Sequence, residues 1–97
     1  MTVKLSTLAQ LDLEDIWEFI ATDSIETANN YLLNLQERLN NLSEQPFSGR
    51  KRKEFAINLL SFPIDNYVIF YEMESEKQIY IVRILHSARD ISSILLN

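Results

Sequence analysis

The chain has 97 residues, 46% of them apolar, a net charge of −5 and no cysteine. Such a length supports one core, so a single domain over residues 1–97 is expected, and the absence of cysteine excludes a disulfide framework, a thiolate metal site and a cysteine nucleophile. Free nucleic acid is repelled by an acidic chain unless its basic groups cluster, and no apolar run approaches the ~20 residues needed to cross a bilayer.

Val3 and Leu5 alternate with polar neighbours, which predicts a short strand over residues 2–6. Thr7 and Gln10 have capping-box spacing before a helix that runs to about Thr22. Leu8, Leu13, Ile16, Trp17 and Ile20 recur at helical spacing, with Asp12, Glu14, Asp15 and Glu18 assigned to the wet side. Asp23 and Glu26 repeat the capping signal and open a longer helix to about Glu44, with Ala28, Tyr31, Leu32, Leu35, Leu39 and Leu42 on one stripe. Helices joined so closely fold back as a hairpin. Trp17 and Tyr31 then belong to its packed interior rather than to a ligand site.

Pro46 ends the second helix and Gly49 permits a turn. Arg50, Lys51, Arg52 and Lys53 follow on a loop. Strands are expected over 55–62, 67–73 and 78–86, with a turn at Pro63-Ile64-Asp65-Asn66 and a hairpin loop at Glu74-Ser75-Glu76-Lys77. Strict alternation along the last strand would place Tyr80, Val82, Ile84 and His86 on one face and Ile79, Ile81, Arg83 and Leu85 on the other. A last helical turn is expected over 91–96. The fold class is α+β, in the order β-α-α-β-β-β, with an antiparallel helical hairpin packed on a small, mainly antiparallel sheet. The first strand is expected at the sheet edge or beside the last strand.

Five motifs in this order carry a family resemblance. They are Ala9-Gln10-Leu11-Asp12-Leu13-Glu14-Asp15-Ile16, Ala28, Pro46-Phe47-Ser48-Gly49, Ser61-Phe62-Pro63-Ile64-Asp65-Asn66-Tyr67-Val68-Ile69-Phe70-Tyr71, and His86-Ser87-Ala88-Arg89-Asp90. Together they resemble the ParE/RelE toxin superfamily of type II toxin–antitoxin systems, the ParE branch more than the RelE branch. The resemblance implies a cytoplasmic toxin neutralised by a cognate antitoxin, with operator DNA reached only through that antitoxin and no membrane partner. A ParE-like member would inhibit DNA gyrase without catalysis. A RelE-like member would cut messenger RNA on the ribosome. An inactive relative would keep only antitoxin binding and co-repression.

Metal-free RNA cleavage needs a base, an acid and cations around the developing phosphorane. RelE-like chains place Arg where this chain has Val68, and many ParE-like chains carry Arg at the place of Leu60. The nuclease candidates left are His86, Arg83, Arg89 and Tyr71, with Tyr80 as a further phenol. His86 also reads as a structural hydrogen-bonding group, Arg83 as a side chain packed across the sheet, and Arg89–Asp90 as a local ion pair. The partner-binding candidates are Arg50, Lys51, Arg52, Lys53, Arg83 and Arg89. One His, no Cys and one Gly provide neither a metal set nor a phosphate loop, so no cofactor is expected.

Overall fold

The computed structural model describes residues 2–96. Its elements are β1 (Thr2–Leu5), α1 (Thr7–Ala21), α2 (Ile25–Glu44), a 3₁₀ turn (Pro46–Ser48), β2 (Arg50–Lys51), β3 (Leu60–Ile64), β4 (Tyr67–Ser75), β5 (Gln78–His86) and α3 (Ile91–Leu95). The α+β class and the helical hairpin are as the sequence implies. The sheet has five strands in the order β1-β5-β4-β3-β2. β1 pairs parallel to β5 and every other pairing is antiparallel. None of the described helices is long and apolar enough to cross a membrane.

The helix caps lie one residue away from the expected ones. Ser6 rather than Thr7 caps α1, accepting from the Ala9 amide, and Ser24 rather than Asp23 caps α2, accepting from the Thr27 amide. Either pair of neighbours carries a suitable oxygen, and the winner is the residue with extended backbone at the entry. Ala9, Ile16, Leu35, Leu39 and Leu42 then bury their stripe against Ile69, Tyr71, Ile79, Ile81 and Ile84 of the sheet. The opposite sheet face is also covered. Leu59, Phe70 and Leu85 are buried there under Phe55, Val68, Val82 and residues Ile91, Ile94 and Leu95 around α3.

Several sequence expectations fail at the sheet. The strand expected over 55–62 is largely a compact turn, in which Phe55 and Ala56 donate to the Arg52 carbonyl, and β3 begins only at Leu60. Pro63 and Ile64 extend β3, so the turn narrows to Asp65-Asn66. Arg50 and Lys51 form an edge strand instead of a loop. The alternation of β5 is also broken. Tyr71 pairs with Ile81 while Phe70 pairs with Arg83, so Val82 is an extra residue. This bulge lets Ile79, Ile81 and Ile84 all join the helix-facing core.

Gly49 has ordinary extended backbone (φ −74°, ψ 163°), so its role is not to turn the chain. A Cβ there would be driven into the Tyr71 hydroxyl and come within 2.9 Å of its ring carbons. The glycine is there for close approach: its amide donates to Tyr71 Oη (2.9 Å) and the hydroxyl donates to the Pro46 carbonyl (2.7 Å).

Candidate functional site

Two surfaces hold the candidate residues. One is a cleft of about 330 Å³ where α1 meets the ends of β4 and β5, lined by Asp12, Asp15, Phe19, Tyr67, His86 and Arg89 among others. The other is the β2 edge with its basic run.

The cleft is organised from α1. Asp12 shares the helical phase of Ala9 and Ile16, and all three are buried, so it does not lie on the wet side where the sequence pattern placed it. It is only 6% exposed. Its carboxylate accepts from Arg83 Nε (2.9 Å) and Nη2 (3.0 Å), and its Oδ2 also accepts the Ile84 amide (2.9 Å). β1 has ended by this point. Ser6 donates its amide to the Ile81 carbonyl and its hydroxyl to the Val82 carbonyl. Ser6 and Asp12 therefore close the β5 edge with side chains where no further strand is present. The bidentate pair holds the Arg83 guanidinium still more firmly protonated, against the opposing effect of burial. Arg83 is thereby committed to the fold.

His86 is exposed at the end of β5. Its ring packs edge-on to Tyr67, with centroids 5.6 Å apart, and its Nδ1 accepts the Ala88 amide at 3.0 Å. That bond occupies the Nδ1 lone pair and leaves Nε2 as the outward nitrogen. The turn is tied down further by the Ser87 amide on the Asn66 carbonyl (2.8 Å). The structural hydrogen bond read for His86 is therefore present. No Arg89–Asp90 ion pair forms among the described residues: Asp90 instead caps α3 through the Ser93 amide and hydroxyl. That capping holds the Asp90 carboxyl below its usual range.

Of the four nuclease candidates, only His86 and Arg89 meet in the cleft. Arg83 is bound to Asp12, and Tyr71 is fully buried with both hydrogen-bonding capacities filled. Burial raises the Tyr71 phenol pKa, which makes it a poorer proton donor. Tyr80 lies at the register position opposite Glu72, away from the cleft lining. One imidazole and one guanidinium face the Asp15 carboxylate and an Asp12 carboxylate already paired with Arg83. Such a cleft supplies little net positive field to a phosphodiester.

Tyr31, Asp65 and Arg38 form a polar cluster beside the cleft that pattern reading missed. Asp65 has a left-handed φ of 54° at the β3–β4 turn. Its Oδ2 accepts from the Tyr31 hydroxyl (2.9 Å) and from Arg38 (2.8 Å), which hold the turn in that conformation. Arg38 and then Tyr31 lower the Asp65 pKa, and burial followed by the Asp65 bond raises that of Tyr31. Trp17 also has a polar partner: its Nε1 donates to Asn29 (2.8 Å) and links the two helices.

The basic run divides. Arg52 is drawn inward, to Glu54 (2.9 Å) and Ser61 (3.1 Å), with its guanidinium over the rings of Phe55 and Phe70. Arg50, Lys51 and Lys53 remain exposed.

Comparison with known proteins agrees with this fold. The family model described as "ParE toxin of type II toxin-antitoxin system, parDE" matches residues 3–91. Toxin ParE1 of Mycobacterium tuberculosis is 30% identical over 88 residues, covering 90% of each chain. The chromosomal ParDE toxin–antitoxin system from P. aeruginosa superposes with a TM-score of 0.71 at 19% identity, over 89% of this chain and 95% of that one. The toxin–antitoxin complex RelBE2 from Mycobacterium tuberculosis superposes with a TM-score of 0.59 at 23% identity, over 88% and 95%. These two likenesses concern the fold. The family match over residues 3–91 and the 30% identity along 90% of each chain place the chain in the ParE toxin family of type II toxin–antitoxin systems.

Proposed function

We propose that this chain is a cytoplasmic toxin that inhibits DNA gyrase by binding it, without catalysis, and that a cognate antitoxin neutralises it. The observation that carries the non-catalytic reading is the state of the four nuclease candidates: Arg83 is saturated by Asp12, Tyr71 is buried and saturated, and His86 and Arg89 share their cleft with the Asp15 carboxylate. Gyrase as the target follows from family membership, by analogy. An antitoxin partner is supported by the same membership and by fold neighbours that are toxin–antitoxin systems. Operator DNA is reached through that antitoxin, since the toxin carries a net charge of −5.

A supercoiling assay with purified gyrase tests the proposal. Loss of supercoiling with trapped, cleaved DNA is expected, and unchanged supercoiling at saturating toxin would overturn it. The RelE-like alternative rests on the meeting of His86 and Arg89 in one cleft. It requires transcript cleavage that depends on ribosomes and disappears in His86→Ala.

A further inference from the structure

We infer that His86 is a proton-operated latch on the turn that leads from β5 into α3: neutral, its ring holds the Ala88 amide and the turn is closed; protonated, it lets that amide go and the turn opens. The latch goes beyond the proposed target and does not depend on it. Three amides tie the turn: Ser87 donates to the Asn66 carbonyl (2.8 Å), Arg89 to the His86 carbonyl (3.0 Å) and Ala88 to His86 Nδ1 (3.0 Å). Only the last of these acceptors belongs to a group that takes up a proton in mild acid.

An imidazole nitrogen accepts a hydrogen bond only while it carries no proton. The Ala88 contact therefore requires the neutral tautomer with its proton on Nε2, so the ring presents a donor, not a base, to the cleft. Imidazolium has a proton on both nitrogens, and Nδ1–H would then point at the Ala88 N–H. An attraction becomes a clash of two donors, and the ring must leave. Imidazole ordinarily makes this change between about pH 5 and 8.

The charged and titratable groups around the ring favour opening. On α1, Asp15 lines the same cleft, while Asp12 is taken up by Arg83 of β5. On β4, Tyr67 meets the ring edge-on; burial raises its phenol, which stays neutral through this range. On the turn, Arg89 lines the cleft, and Asp90 is held as a carboxylate by its bonds to Ser93. An imidazolium is attracted to Asp15 and repelled by Arg89, so the new charge draws the ring toward α1 and pushes the guanidinium away. The turn carries both Arg89 and the Asp90 cap of α3, a helix with no buried residue of its own. The neighbouring β3–β4 turn has no such sensitivity, because Arg38 keeps Asp65 ionised in mild acid.

Nuclear magnetic resonance on the intact chain tests the latch, through ring nitrogen shifts and amide hydrogen exchange between about pH 8 and about pH 5.5. Protection is taken relative to the intrinsic exchange rate at each pH. The ring is expected as the Nε2–H tautomer at the alkaline end. Protection of the Ala88 amide should fall about threefold or more as the ring takes up its proton, while the paired amides of β4 and β5 keep theirs. His86→Asn puts an oxygen near the place of Nδ1 that accepts the same N–H without titrating, and should hold Ala88 protection constant. His86→Leu has no acceptor and should show low protection at every pH. An Nδ1–H tautomer at the alkaline end, Ala88 protection that ignores the ring's titration, or a fall in His86→Asn equal to that of the wild type would each overturn the latch. Both wild-type readouts stand even where a variant fails to fold.

Discussion

The two outer regions of the sheet manage their unpaired backbone in opposite ways. Beyond β1, the β5 edge is closed by Ser6 and by Asp12, whose carboxylate takes up the Ile84 amide and the Arg83 guanidinium together. At the far side, β2 ends the sheet with an outward backbone and exposed Arg50, Lys51 and Lys53. Both regions carry arginine close to a carboxylate. In one, the cation is held by a buried carboxylate; in the other, only Arg52 is drawn in, by an exposed one, and its neighbours stay exposed. The difference teaches that a positive charge in this fold becomes available to a partner only where no buried acid faces it.

Asp12→Ala attacks the closed edge directly. It leaves the buried Ile84 amide and the partly buried Arg83 guanidinium without their acceptor, so a loss of about 2–4 kcal/mol is expected from urea unfolding. A loss below 1 kcal/mol would mean that solvent already reaches the pair, and the contrast between the two edges would disappear. Tyr71→Phe is next. It strands the Pro46 carbonyl and the Gly49 amide at the approach to β2, with an expected cost of about 1–3 kcal/mol. Gly49→Ala, which collides with the same ring, should fall in the same range.

Alkaline titration has a smaller, graded effect. Burial raises the pKa values of Tyr31, Tyr67 and Tyr71. Their contribution to stability is whole below the free phenol value of about 10 and is lost as pH rises from there through the raised folded-state values. Thermal melts should decline in that window, and Tyr71→Phe should flatten the decline. The smallest effect belongs to the open edge. Lys51→Glu/Lys53→Glu touches no buried group and should change stability by no more than about 0.5 kcal/mol. A larger loss would show that these lysines hold the fold as Arg83 does.

Much of this organisation was legible in the sequence. Most of the apolar stripe of each helix, the hairpin between the helices and the last two strands follow from periodicity, and the family from the order of five motifs. What escaped has specific causes. Asp12 was assigned to the wet side because it is an acid, although its three-residue offset from Ala9 and four-residue offset from Ile16 mark a helix face turned toward the sheet. The Val82 bulge cannot be seen in a run that is apolar at nearly every position, since such a run fits either face. The β2 strand is too short and too basic to register as one, and the compact turn at Phe55 mimics a strand in composition. The split within Arg50–Lys53 was not legible, because Arg52 is singled out by Ser61 and Phe70, which approach it only after β3 and β4 are paired.

The central claim is that harm comes from docking rather than from breaking a ribonucleotide bond. Its most direct test is incubation of the purified wild-type chain with translating ribosomes, followed by mapping of transcript ends. Intact transcripts at toxin concentrations that halt gyrase are predicted; discrete cuts that appear only with ribosomes and vanish in His86→Ala would contradict the account.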